Sequence, residues 1–163
     1  MIRRLTSDDA PLLREIRILA ITDAPDAFGS TLEETEQRSF PVWEQILRPD
    51  GNPFFIYEQN GGVVGLIGAL NPNESGVAHL VSMWVATHGR GSGVSDELVA
   101  HVIAWASDSG SHRLELSCTE GNLHAERLYM RHGFLRTGEF ETRQRDGKIE
   151  FVMALALSPA SGR

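Results

Sequence analysis

Residues Val81 to Ser95 bring together the side chains and backbone best placed to do chemistry. An apolar run, Val81-Ser82-Met83-Trp84-Val85-Ala86, leads into a glycine-rich turn, Gly89-Arg90-Gly91-Ser92-Gly93, and helical apolar spacing begins at Val94. Such a turn leaves several backbone N–H groups unpaired and pointing one way at the positive end of a helix dipole. That arrangement suits phosphate, so the expectation is a phosphorylated cofactor. Two well-known phosphate signatures do not fit. A dinucleotide fingerprint needs a third glycine where Asp96 or Val94 stands. A P-loop ends in Gly-Lys-Ser/Thr, and the turn has no lysine. What fits is Arg90-Gly91-Ser92-Gly93-Val94-Ser95, an Arg-x-x-Gly-x-small turn after a strand. The plain alternative is a glycine-rich connection that binds nothing. His88, His101, His112, His124 and His132 have no metal-ligand spacing with Cys118 or with each other, so no metal site is expected. Cys118 reads as a core residue with no identifiable base, not as a nucleophile.

The elements that must position this turn follow from periodicity. Ile2 to Leu5 is a short strand, and Thr6-Ser7-Asp8-Asp9 with Pro11 starts a helix carrying Leu12, Leu13, Ile16, Leu19 and Ala20. Ala24 to Ser30 breaks it, and a second helical region, interrupted at Pro41, turns Trp43, Ile46 and Leu47 inward. Strands are predicted at Phe54 to Glu58 and Val63 to Leu70, joined by the hairpin signal Asn60-Gly61, and then at Val77 to Ala86. Val94 to Ser107 is an amphipathic helix with Val94, Leu98, Val99, Val102, Ile103 and Ala106 on its apolar stripe. A strand at Arg113 to Cys118 follows, then a helix at Leu123 to Arg131 between Asn122 (N-cap) and Gly133 (C′). Phe134 to Arg145 and Ile149 to Leu157 are strands joined at Asp146-Gly147. Strand, helix, strand over residues 77–118 makes a right-handed crossover and one parallel pair. Hairpins on both sides make the rest of the sheet antiparallel, so the fold class is mixed α/β with flanking helices.

Composition sets limits. A chain of 163 residues is read as one domain over residues 1–157 with a loose tail at 158–163. A net charge of −7 argues against sequence-independent nucleic-acid binding, which needs a basic footprint. One cysteine permits no internal disulfide and fits a reducing cytoplasm. The amino end lacks the apolar run of a signal peptide, and no window approaches a membrane span.

A second motif lies about thirty residues beyond the turn. Residues Asn122 to Phe134 have the form Asn-x-x-Ala-x-x-Leu-Tyr-x-x-x-Gly-Phe, with Ala125, Leu128, Tyr129 and Gly133 in register. Turn and helix, in this order and spacing, resemble the GNAT superfamily of acyl-CoA-dependent N-acetyltransferases. Ala24-Pro25-Asp26-Ala27-Phe28-Gly29-Ser30-Thr31 followed by Glu33-Glu34 resembles small bacterial members. The resemblance covers Ile2 to about Leu157.

The resemblance implies acetyl-CoA as acyl donor. It places the pyrophosphate on the backbone of Arg90, Gly91, Ser92, Gly93, Val94 and Ser95. It places the pantetheine arm along Met83, Trp84 and Val85, one of whose N–H groups would hold the oxyanion of the tetrahedral intermediate. Ser95 departs from the usual Gly or Ala, and Thr87 stands where proline is common. Tyr129 matches the general acid that protonates the leaving thiolate; on residue type alone it reads equally as a core aromatic. Asn122 carries two readings, an N-cap and an amide facing the pantetheine. Candidate bases for the attacking amine are Glu33, Glu34, His79 and Glu120, or ordered water. By analogy, Phe28, Ser30 and Glu33 border an acceptor pocket whose acidic residues could attract a cationic amine. The implied reaction is direct transfer of acetyl to a primary amine of a small molecule or peptide. A non-catalytic acyl-CoA-binding module and a protein N-terminal or lysine acetyltransferase stay open as alternatives. The last two strands offer a surface for homodimerisation.

Overall fold

The computed structural model describes residues 1–158. The tail expected from Ser158 onward therefore lies, past that residue, outside the described residues. Seven strands form one sheet: β1 (Ile2–Arg4), β2 (Phe54–Gln59), β3 (Gly62–Leu70), β4 (Val77–Val85), β5 (Arg113–Thr119), β6 (Leu135–Thr142) and β7 (Ile149–Ala156). Their order is β1-β2-β3-β4-β5-β7-β6. All neighbours are antiparallel except β4 and β5, the one parallel pair. The mixed α/β class read from the crossover and hairpins is the fold observed.

Helices cover both faces: α1 (Ala10–Asp23), α2 (Leu32–Gln37), α3 (Phe40–Ile46), α4 (Val94–Asp108) and α5 (Leu123–Arg131). Alternation along β2 explains the layers. Phe54 and Ile56 pack with Leu13 and Ile16 of α1 and Trp43 of α3, whereas Phe55 packs with Leu98, Val99 and Val102 of α4. The β2–β3 hairpin turns at Asn60 (φ 53°) and Gly61 (φ 77°), the left-handed pair that a two-residue hairpin requires.

Three expectations are corrected, and one feature of β4 is new. Position 17 lies on the buried stripe of α1 with Leu13, Ile16 and Ala20, so Arg17 is buried and Leu19 is 53 % exposed. The second helical region breaks at Arg38-Ser39, and Pro41 instead sits in the first turn of α3. The strand expected to reach Arg145 stops at Thr142, and every residue of β6, at the edge of the sheet, is exposed. In β4, the register with β3 slips between Leu66↔Trp84 and Gly68↔Val81, and Ser82 takes a left-handed backbone (φ 58°). That is a β-bulge, which bends a strand and re-aims its neighbours.

Candidate active site

The parallel ladder between β4 and β5 is short. It holds only Val77↔Arg113, Ala78↔Leu114 and His79↔Glu115, and beyond those pairs the strands diverge. The bulge at Ser82 lies at the start of the divergence. Between the splayed strands opens a cavity of about 640 Å³. Its walls are Leu80 to Val85 of β4, Leu116 to Thr119 of β5, Ala24 and Ala27 before α2, the turn ahead of α4, and Asn122, Ala125, Leu128 and Tyr129 at α5.

The turn ahead of α4 has the conformation its sequence predicts. Gly91 and Gly93 have φ of 76° and 85°, and a Cβ at either would point into open space. The first backbone bond of α4 is Glu97 N–H to Gly93 O (3.1 Å), so the N–H groups of residues 94–96 have no helical acceptor. The Ser92 hydroxyl is used locally, donating to Gly89 O (2.5 Å). The Arg90 side chain turns away from the turn. It donates to Val85 O (3.0 Å) and to Asp23 (2.5 Å), whose carboxylate also accepts from Trp84 Nε1 (3.0 Å). Those two contacts hold the Asp23 carboxyl below its ordinary range, Trp84 more than Arg90. Arg131 of α5 supplies a second guanidinium at the same mouth, paired with Asp96 (3.1 Å), which also meets His132 Nε2 (2.9 Å).

Tyr129 lines the inner part of the cavity and is 7 % exposed. Its ring stands edge-on to Phe134 at 5.9 Å, which fixes its direction. Among the described residues its hydroxyl has no hydrogen-bond partner. Burial, with Cys118 adding a smaller effect, pushes its phenol well above the ordinary range, so it keeps its proton at neutral pH. Burial also pushes the Cys118 thiol up to about 11, which leaves little thiolate and no nucleophile there. Asn122 caps α5, its Oδ1 accepting from Ala125 N–H (3.2 Å), while also lining the cavity.

The acetyltransferase (GNAT) family pattern matches residues 15–134. The chain belongs to that family. N-acetyltransferase 8B of Homo sapiens is 29 % identical over 133 residues, covering 79 % of this chain and 52 % of its own length. N-acetylaspartate synthetase of Danio rerio is 32 % identical over 95 residues, covering 58 % of this chain and 34 % of its own. The chain thus spans about a third to a half of these relatives. Among solved structures, ribosomal-protein-alanine N-acetyltransferase from Brucella melitensis superposes with a TM-score of 0.79 at 28 % identity, over 96 % of this chain and 99 % of that one. YncA of Salmonella typhimurium, solved with its cofactor acetyl-CoA, has the same fold (TM-score 0.78, 20 % identity, 100 % and 96 % coverage).

Within this GNAT domain, Met83, Trp84, Val85, Arg90, Gly91, Gly93, Ser95, Asn122 and Tyr129 all border the one cavity, and Ser92 and Val94 complete its turn. The candidate bases do not border it. Glu33 is exposed beside Gln37, Glu34 accepts from Thr31 N–H as a helix-capping residue (3.0 Å), His79 faces Glu115 (3.6 Å), and Glu120 lies 3.8 Å from Arg136. Phe28 is buried with Ala20 and Ile21, so its side chain supports the loop after α1 and does not line the cavity. Ser30 is half-buried in that loop.

Sequence reading missed what holds the loop. Arg145 donates to the carbonyls of Pro25 (3.0 Å), Phe28 (2.6 Å) and Gly29 (2.8 Å), and Arg143 to that of Asp26 (2.8 Å). Lys148 pairs with the Asp26 carboxylate. Three basic residues within six positions of the β6–β7 connection were the available signal; their targets lie more than a hundred residues away. The described residues contain no group of three or more His, Cys, Asp or Glu able to hold a metal, and no helix long and apolar enough to cross a membrane.

Proposed function

We propose that the chain transfers the acetyl group of acetyl-CoA to a primary amine. The observation that carries this reading is the splay of β4 from β5 into a cavity with Tyr129 inside and helix-capping N–H groups at its mouth. The residues fit the donor. The open space at Gly91 and Gly93 lets an anion reach the N–H groups that lack acceptors, and the cavity falls in the size range of cofactor sites. Arg90 to Ser95 would hold the pyrophosphate, and Met83, Trp84, Val85 and Asn122 the arm. The donor supplies an acetyl thioester.

Residues of this chain do the rest. The edge of β4 left unpaired by the splay offers N–H groups from Met83 to Val85 to the thioester oxygen, where negative charge develops as the amine adds. Tyr129 Oη delivers its proton to the departing sulfur and regains one from the nitrogen of the new amide, which carries a proton it must lose. A free thiol titrates near 8.5 and a phenol near 10. Burial raises the phenol further, but the same burial penalises a bare thiolate beside it, so the proton follows the sulfur. With none of the four candidate bases at the cavity, the amine is expected to lose its proton to water before it attacks. The relatives' names, N-acetylaspartate synthetase and ribosomal-protein-alanine N-acetyltransferase, support an amine as acceptor.

Calorimetry with acetyl-CoA, with NADH and ATP as controls, tests the donor. Selective micromolar binding, about 8 kcal/mol, followed by thiol release with an amine panel, is the expected result. Well-folded protein that ignores acetyl-CoA would remove the reading.

A further inference from the structure

Two arginines of this domain have little-exposed side chains, and they are treated in opposite ways. Arg143, whose side chain is 9 % exposed, meets the carboxylates of Asp146 (2.8 Å) and Glu150 (3.3 Å) and the carbonyl of Asp26. Arg17 is 9 % exposed as a whole residue and is the one charged residue among the described residues buried to that degree. It has no carboxylate within ion-pair distance among them. Its single hydrogen bond is from Nη1 to Ser82 Oγ (2.5 Å), and its Nε has no partner. Phe28 lies 5.4 Å from the guanidinium carbon, and Arg38 adds a like charge nearby. A buried cation without a counter-charge is costly, and removal from water is compensated only by an opposite charge with good hydrogen bonds. In a chain of net charge −7, where Arg3, Arg90, Arg113, Arg131 and Arg136 all meet carboxylates, the deepest guanidinium lacks one.

The position of Arg17 says what the missing anion belongs to. Its hydrogen-bond partner, Ser82, is the bulged residue of β4, lines the cavity, and precedes the Met83–Val85 edge where the acetyl carbon would be held. The guanidinium therefore sits behind the reacting end of the cavity, on the α1 side, far along the chain from the phosphate turn. Burial lowers the Arg17 pKa to about 10, with Arg38 contributing, so the group is still cationic at neutral pH.

We propose that Arg17 binds a carboxylate carried by the amine acceptor, so that the preferred acceptors are small amino acids and not simple amines. This rests on the acetyl-transfer reading. A guanidinium offers planar N–H donors that match a carboxylate, and beside the enclosed Nε one terminal nitrogen of Arg17 is left without a partner. Ser82 then acts as the link: its hydroxyl orients the guanidinium from the same bulge that opens the cavity.

The test uses α- and ω-amino acids, each beside the alkylamine that lacks its carboxylate and the amide that neutralises it. Two readouts are taken on the full chain: kcat/KM by thiol release, and the shift in Tm without any donor. The expected result is at least a tenfold preference for the carboxylate member of one or more pairs, falling to within about twofold in Arg17→Met and surviving in part in Arg17→Lys, with a Tm rise given by the amino acid and not by its amide. Equal rates and equal shifts within every pair of the wild type overturn the proposal. So does a preference undiminished in Arg17→Met. A Tm rise given equally by acetate alone also overturns it, because the site would then serve any free anion. If Arg17→Met fails to fold, the comparison of wild type with Arg17→Lys decides. If no amine releases thiol although acetyl-CoA binds, the transfer reading fails, and the Tm shifts alone decide whether Arg17 takes a carboxylate.

Discussion

On the proposed reading, the donor side of the cavity and the acceptor side are built by different means. The donor side is a contiguous stretch: β4, its turn, α4, β5 and α5 run from Val77 to Arg131 and carry every cavity residue except Ala24 and Ala27. Its decisive groups are backbone N–H donors and two left-handed glycines. The acceptor side is assembled from distant pieces: Arg17 and the loop after α1, held by Arg143, Arg145 and Lys148 across 116 to 122 residues. Its decisive groups are charged side chains. A cofactor shared by a family can be bound by backbone geometry, which tolerates sequence change. An acceptor peculiar to one enzyme needs side chains, and those can be supplied from anywhere the fold brings close.

That division breaks most sharply at Tyr129. Tyr129→Phe should lower kcat about 10²- to 10⁴-fold, the usual worth of a general acid, with acetyl-CoA affinity unchanged by calorimetry. In the wild type the raised phenol pKa means that Tyr129 stays protonated, so the rate should not fall on its account up to pH 10. Next is Gly93→Val. At φ 85° a β-branched residue is strained by at least about 1–2 kcal/mol, and its side chain enters the anion cradle. The expected outcome is a rise in acetyl-CoA Kd of tenfold or more with little change in the KM for amine. Arg145→Ala should do the reverse. Losing three carbonyl contacts, worth about 1–3 kcal/mol together, should raise the acceptor KM several-fold and leave acetyl-CoA binding intact. Equal effects of both variants on both ligands would dissolve the division.

Smaller effects concern pH. With water taking the amine proton, kcat/KM should climb with pH toward the pKa of the acceptor itself; a plateau by pH 7 would mean a base in the cavity, and His124, which lines it, would be the first to replace. The smallest effect is in the clamp. The hydrogen bond from Arg143 holds the Asp146 carboxyl down at about 2, against about 3.9 for a free aspartate. A depressed carboxylate contributes stability that is complete above the unfolded value and is lost as pH falls through the folded one. The NMR shift of Arg143 Nε should therefore hold above about pH 5 and move as pH falls toward 2.

Legibility followed the same line. The strand–turn–helix around Arg90, the cap at Asn122 and the C′ glycine at Gly133 (φ 95°) were readable because each is a local rule linking residue type to backbone angle. The bulge at Ser82 was not, since a serine carries no preference strong enough to announce φ of 58°. Arg17 was passed over because helical spacing marks a face by its apolar residues, and a charged residue on that face is visible only once the partners are in place. Glu34 was a candidate base by charge, yet Thr31-x-x-Glu34 is a capping box that the sequence itself spells out. The clamp was hidden by separation in sequence, which no local pattern spans.

That separation also orders events during synthesis. Chains leave the ribosome at about 5–20 residues per second, so the loop at Asp26 to Gly29 waits roughly 6 to 24 s for the hairpin that fastens it. Within that interval α1 and the β2–β4 sheet can pack around their own contacts while the loop is still unfastened. The loop beside the cavity should thus be among the last parts of the domain to be fixed in place.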